Sequence, residues 1–209
     1  MPINYIVRAD VIDISADTPQ PTDEFLVDTN VWYWLVYTRA SMGSNSPRTR
    51  QLTNYPGYVH QALANGSRIR QCGLTLSELV HRIEQTEREI YGQTTGVQPP
   101  PTKQFRHNFP AERSNVVSEV QAAWTQVTSM ASSIEVTLND GMTKAAILRL
   151  QTEALDGYDL FLLEAATASG IVQVITDDGD FCCVSGIRMF TSNQTVLTAA
   201  LAQGRLVIR

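Results

Sequence analysis

Cysteine is scarce. The 209 residues hold three (Cys72, Cys182 and Cys183), too few and too oddly placed for a disulfide framework, and none forms a C-x-x-C pair. A reducing, cytoplasmic setting is the expectation. Histidine is as rare: His60, His81 and His107 are scattered through the chain, and no His or Cys stands at zinc-ligand spacing. Long apolar runs are missing as well; the stretch around Val31–Val36 falls far short of the ~18 residues that a membrane span needs. The opening Met1-Pro2-Ile3-Asn4 has no basic region leading into an apolar core, so no secretory leader is expected. Positive charge is in deficit, with 16 Lys and Arg against 21 Asp and Glu for a net charge of −5. At first sight that balance argues against a nucleic-acid partner.

What is present describes a soluble globular chain. Apolar residues make up 43% and charged residues 18%, a length and composition suited to one domain that carries an arm or an insertion. The charge is unevenly spread. Between Arg39 and Arg113 stand ten basic residues and five acids, a surplus of 10 − 5 = +5, which leaves −10 for the flanks. Only Lys103 and Lys144 are lysines, and the arginine fork suits phosphate oxygens. The alternative is that Arg82 and Arg88 pair with neighbouring glutamates on a solvated helix.

Residues 1–24 read as an N-terminal arm or edge strand, extended over Tyr5–Ile14, followed by a Pro-containing linker. Residues 25–209 read as a single domain with an insertion around 92–134. Phe25-Leu26-Val27 is a short buried strand, ending at the good N-cap types Asp28, Thr29 and Asn30 before a helix over Val31–Tyr37. Ser41–Pro47 reads as loop. Pro56 suits the first turn of a second helix, stopped at Asn65-Gly66. Arg68–Leu74 is a second strand, and Ser77 is expected to cap an amphipathic helix carrying Leu79, Val80, Ile83, Thr86 and Ile90. Gly92–Asn115, centred on Pro99-Pro100-Pro101, is the most linker-like stretch. A long helix follows from Val116 to Ile134, then a third strand at Glu135–Leu138 and a helix from Asp140. Asp159–Ser169 is a further apolar helix. Ile171–Thr176 and Ile187–Thr191 are strands, and Asn193–Gln203 is a last helix. Alternating strands and helices predict an α/β fold, three layers deep, around a mostly parallel sheet of roughly five strands.

The acids fall at telling positions. Open parallel sheets bind ligands beyond the carboxyl ends of their strands. Phe25–Val27 runs into Asp28, and Ile171–Thr176 runs into Asp177-Asp178-Gly179-Asp180. Glu78 and Asp159 stand near helix starts, where an acid also complements the helix dipole, and Asp28 equally reads as a plain cap. Clustered carboxylates repel unless protonated or bridged by cations, and oxygen-only ligand sets suit Mg²⁺ or Mn²⁺.

Four segments, taken in order, resemble the motifs of PIN domains: Phe25-Leu26-Val27-Asp28-Thr29-Asn30-Val31, Leu76-Ser77-Glu78-Leu79, Tyr158–Ala168, and Ile175-Thr176-Asp177-Asp178-Gly179-Asp180-Phe181. Each segment is weak alone and the ordered set is fairly specific; it spans about Phe25 to Thr191. The resemblance implies a Mg²⁺- or Mn²⁺-dependent ribonuclease, of which the VapC-type toxins of toxin–antitoxin pairs are examples. RNA would then be the substrate, with an antitoxin protein and a second copy in a homodimer as partners and no membrane association. By the same resemblance Asp28, Glu78, Asp159 and Asp178 are the catalytic and metal-holding acids. Asp180 is the second choice for the fourth acid and Asp177 the third. Thr29, Asn30 and Thr176 match supporting polar positions, while Asp156 either caps the helix or replaces Asp159. The implied chemistry is metal-assisted in-line hydrolysis that leaves a 5′-phosphate and a 3′-hydroxyl. The arm before Phe25 and the segment Gly92–Ile134 exceed what a minimal toxin nuclease carries.

Three other readings compete. Cys182 and Arg188 have the spacing of a cysteine-phosphatase loop, but a β-like segment follows where a helix N-terminus is needed, and vicinal cysteines on a half-buried strand are the plain explanation. An aspartate-nucleophile phosphatase of the haloacid-dehalogenase type needs a second Asp two residues after Asp28; Asn30 stands there. A non-catalytic PIN-fold module that binds RNA or protein is the third. Trp32, Trp34 and Tyr37 suit either the core or a partner surface, and aromatics at helical spacing are more often core.

Overall fold

The structure, a computed structural model, describes residues 3–44 and 46–209. Met1 and Pro2 of the expected arm, and Asn45 of the expected Ser41–Pro47 loop, lie outside the described residues. Six strands form one sheet: β1 (Asp10–Asp13), β2 (Glu24–Val27), β3 (Arg68–Gln71), β4 (Ser132–Ser133), β5 (Gln173–Ile175) and β6 (Arg188–Thr191). Their order is β1-β6-β5-β2-β3-β4 and every pairing is parallel.

The helices are α1 (Thr29–Val36), α2 (Thr49–Ala64), α3 (Gly73–Thr95), α4 (Thr102–Asn108), α5 (Pro110–Met130), α6 (Asp140–Leu150), α7 (Gly157–Ala168) and α8 (Gln194–Ala202). Successive strand residues point to opposite faces, and both faces are covered. Phe25, Val27, Ile175 and Phe190 pack under α1, α2, α3 and α5, with Trp32, Tyr55, Leu79 and Val127 among their neighbours. Leu26, Val174 and Met189 pack on the other side against Leu160 and Leu163 of α7 and Val196 of α8. That double burial explains why the central strands are continuous apolar runs. Phe25 meets Phe190 edge to face at 4.9 Å, and truncating either ring costs roughly 3–5 kcal/mol. Trp32 and Tyr37 are core, and Trp34 is half-buried against Tyr55. Among the described residues no helix is long and apolar enough to cross a membrane.

Several local expectations are corrected. The sheet has six strands where about five were expected, because Asp10–Asp13 of the N-terminal segment joins it as an edge. The Ser41–Pro47 loop begins within a short 3-10 turn, Ala40–Met42. Pro56 lies inside α2 rather than in its first turn; the helix begins at Thr49, where the Gln51 side chain accepts a bond from the Arg48 N–H. Ser77 does not cap α3. That helix begins at Gly73, beyond Cys72, whose N–H donates to Thr75 Oγ1 at 3.4 Å. The supposed linker Gly92–Asn115 is largely helical. It folds back tightly: a Cβ on Gly92 would sit 2.8 Å from the Pro99 ring, so only glycine admits the proline run there. The third strand is Ser132–Ser133, not Glu135–Leu138, and Ile134 N–H still donates to Gln71 O at 2.8 Å. Cys182 and Cys183 lie in the 3-10 turn Gly179–Cys183, not on a strand.

The topology sets the place of a site. From β2 the chain moves outward to β3 and β4, then returns to β5 on the opposite side of β2 and continues to β6. The reversal falls between β2 and β5, and the crevice beyond their carboxyl ends is where such sheets receive ligands.

Candidate functional site

Asp28 follows β2 and Thr176 follows β5, so parallel pairing of Val27 with Ile175 sets the two side by side. Asp28 N–H donates to Ile175 O at 3.1 Å, and Thr176 Oγ1 donates to Asp28 Oδ2 at 2.6 Å. Asp28 occupies the N-cap position of α1, yet its side chain caps nothing. The plain-cap reading of Asp28 is therefore set aside. Its carboxylate is 3% exposed and draws its one side-chain bond from Thr176.

Thr176 organises the next acid as well. Its Oγ1 accepts the Asp178 N–H at 2.8 Å, and Asp178 Oδ1 accepts the Asp180 N–H at 2.9 Å. The three aspartates of this loop then part company. Asp177 turns toward α2, taking bonds from Tyr55 Oη at 2.6 Å and Gln51 Nε2 at 2.5 Å, with Arg50 at 3.7 Å. Burial, followed by the charges of Asp178 and Asp156, raises the Asp180 pKa. Asp178 alone of the three acts on both Asp28 and Asp159.

Asp156 and Asp159 divide their roles in the same manner. Asp156 Oδ1 accepts from the N–H groups of Tyr158 at 2.8 Å and Asp159 at 3.1 Å, so Asp156 is the N-cap of α7. Asp159, in the first turn, is 7% exposed, and among the described residues nothing donates to its carboxylate. Glu78 stands well inside α3, where helix-dipole stabilisation has faded, and pairs loosely with Arg82 at 3.7 Å.

Asp28 and Asp159 feel the neighbouring acids. Burial, then Glu78, and to a lesser degree Asp178, raise the Asp28 pKa far above the carboxylate range, against the Thr176 bond and Arg82. Burial and the charge of Asp28, followed by Asp156, Asp178 and Glu78, raise Asp159 further. Among the described residues neither Asp28 nor Asp159 has an ion-pair partner. Two buried carboxylates without cations are costly as anions and stable only when protonated or bridged.

The donor chemistry suits a hard divalent ion: all the groups are carboxylate or amide oxygens, and among the described residues buried Asn30 Oδ1 has no hydrogen-bond partner. Thr29 lines a crevice with Thr75 and Glu78. Among the described residues no set of three His, Cys, Asp or Glu side chains stands ready to hold a metal ion. An ion would have to draw the carboxylates together, with Glu78 turning from Arg82.

The N-terminal segment braces this corner. Arg8 and Ala9 N–H groups both donate to Cys182 O, at 2.8 and 3.0 Å, and Arg8 Nη1 donates to Thr152 O at 3.0 Å. The Tyr5 ring lies where a side chain on Gly179 would go: a Cβ there would be 2.1 Å from the Tyr5 hydroxyl. Nothing in the local sequence marks Tyr5, since its partner lies far along the chain. Tyr55 and Gln51, which take Asp177 out of the cluster, were invisible for the same reason.

Cys182 is buried, its thiol pushed up to about 12 chiefly by desolvation, and β6 follows, so the activated thiolate of a cysteine phosphatase has no support here. The Arg-rich middle is largely engaged. Seven of its ten cations have carboxylate partners: Arg39 with Glu87, Arg50 with Asp177, Arg68 and Arg70 with Glu24, Arg82 with Glu78, and Arg106 and Arg113 with Glu84. Arg88 gives its Nη1–H to Pro100 O at 3.1 Å rather than to a glutamate. Compared with models of known protein families and with curated proteins, the chain matches none.

Proposed function

We propose that the chain is a metal-dependent ribonuclease that hydrolyses RNA phosphodiester bonds at an acidic Mg²⁺ or Mn²⁺ site made by Asp28, Glu78, Asp159 and Asp178. The observation that carries this reading is that Asp28 and Asp159 lie buried at the switch point of the sheet, each raised by burial and by the charge of the neighbouring acids, and among the described residues neither has an ion-pair partner. A fold tolerates that arrangement where the charge serves a purpose. A divalent ion bound there supplies a Lewis acid and an activated water for in-line attack on phosphorus. The chain's own part is placement. Thr176 fixes Asp28 by its hydroxyl and the Asp178 backbone by its lone pair, and the Asp156 cap fixes the start of α7, which carries Asp159.

RNA as substrate is supported by the ordered resemblance to PIN-domain motifs and by the arginine-rich middle, although few of those arginines are free to grip a backbone. A salt-sensitive, weak hold on phosphate follows. The same resemblance supports a toxin of a toxin–antitoxin pair, with an antitoxin and a second copy as partners in the cytoplasm. A second reading, a non-catalytic RNA- or protein-binding module, is favoured by one observation: the acids are not gathered into a finished cation cage.

Calorimetric titration with Mn²⁺, followed by Mn²⁺-dependent cleavage of RNA, separates the two. Binding and cleavage that Asp28→Asn and Asp159→Asn both abolish, with the fold retained, support the nuclease. Undiminished cleavage by both variants refutes the site, and no Mn²⁺ binding by the wild type favours the module.

A further inference from the structure

A cleft of about 390 Å³ opens beside Glu78, in the size range of ligand sites. α3 presents His81, Arg82, Gln85 and Glu89 to it, and the start of α7 presents Asp156 and Tyr158. Its charges are mostly negative: Glu78, Glu89 and Asp156 against Arg82, whose guanidinium is already shared between Glu78 at 3.7 Å and the Tyr33 ring at 5.2 Å. A phosphate is repelled by such walls. A neutral planar group with a polar edge is not. Tyr158 is 47% exposed, and among the described residues its ring has no aromatic neighbour and its hydroxyl no hydrogen bond, so a large flat face stands unused in the cleft. His81 is exposed and also without a hydrogen-bond partner among the described residues, while the Gln85 amide reaches Glu89 only at 3.2 Å. Stacking face and adaptable edge groups are together what holds a nucleobase.

We propose that this cleft is the subsite for one unpaired nucleobase next to the bond that is cut, with the base stacked on Tyr158 and its edge met by His81 and Gln85. The proposal rests on the nuclease reading for the neighbouring acids. The phosphate stays outside, toward Asp28 and Asp159, and the base turns in beside Glu78. A base inside a duplex keeps both faces stacked and cannot reach Tyr158, so the cleft selects single strands.

The test is fluorescence anisotropy of the full chain with a labelled single-stranded oligoribonucleotide, with Ca²⁺ present to neutralise the carboxylates, beside the same strand in a duplex. Tyr158→Ala is expected to weaken single-strand binding about ten- to hundredfold, the worth of one stacked base. Tyr158→Trp, which keeps the stacking face, is expected to restore it, and Mn²⁺ affinity measured by calorimetry is expected to be unchanged in both. Equal binding by wild type and Tyr158→Ala, duplex binding as tight as single-strand binding, or no binding by the wild type each overturns the proposal. Tyr158-dependent binding by a chain that cleaves no RNA keeps the cleft and removes the nuclease reading.

Discussion

Replacing Asp28 with asparagine makes a prediction whose sign is unusual: a buried, well-packed residue is changed and the metal-free protein becomes more stable. Asp28 is buried, its one side-chain bond comes from Thr176, and Glu78 and Asp178 add like charge, lifting its pKa from the ordinary carboxylate range to about 7. Each pKa unit corresponds to about 1.4 kcal/mol, so the ionised group opposes folding by roughly 4 kcal/mol. Asp159 shares that repulsion, and part of the strain relaxes through its protonation, so about 2 kcal/mol is the expected gain. Asparagine keeps the shape, and its amide oxygen still accepts the Thr176 hydroxyl. For a chain of this size each kcal/mol moves the Tm by about 2–4 °C, which gives an increase of roughly 4–8 °C at pH 8 in EDTA.

The pH dependence follows from the direction of the shift. A raised folded-state pKa means that the native state holds the proton more tightly than the unfolded chain. Wild-type stability from this group is therefore fully present below the unfolded value near 4 and is lost as pH rises through about 7. The advantage of Asp28→Asn shrinks on acidification and vanishes near pH 4. Saturating Mn²⁺ reverses the order, because the ion binds the native wild type and raises its Tm by mass action while the variant gains little. Thermal melts by circular dichroism at pH 8, with EDTA and then with Mn²⁺, read both effects. A lower Tm for Asp28→Asn in EDTA would show that Asp28 is a structural partner, and the electrostatic reasoning would fail.

Two further substitutions probe the same corner. Asp177→Asn leaves one acceptor oxygen for the two donors Tyr55 and Gln51 and turns an amide N–H against the other, so it is expected to cost about 1–3 kcal/mol of stability and leave Mn²⁺ affinity nearly unchanged; Asp178→Asn is expected to do the reverse. Equal losses of Mn²⁺ affinity would contradict this division. Gly179→Ala drives a methyl into the Tyr5 ring and is expected to destabilise by about 1–3 kcal/mol, a loss that Tyr5→Ala relieves in the double variant. Strict additivity in a denaturant-unfolding cycle would refute the contact.

The alternating runs of strand and helix residues were enough to read an α/β fold with a parallel sheet, because buried strands and amphipathic helices carry their periods locally. The same locality placed Asp28 and the Asp177–Asp180 cluster after strands, and the Asp156-x-x-Asp159 spacing already held a cap and a first-turn acid. Boundaries were less legible. The α3 start at Gly73 depends on Thr75 accepting from the Cys72 N–H, and Pro56 is carried inside α2 by packing of Tyr55, Tyr58 and Val59 against the sheet.

What the sequence by itself determined is the class of fold, the acidic character of the strand ends and the oxygen-only chemistry available there. What only the tertiary structure decided is which acids meet. Pairing of β2 with β5 across 148 residues sets Thr176 on Asp28, Tyr55 pulls Asp177 away, and the chain's own Tyr5 folds back over Gly179. These contacts join distant segments, and their energies exist only once the sheet has closed the distance; no local pattern carries them.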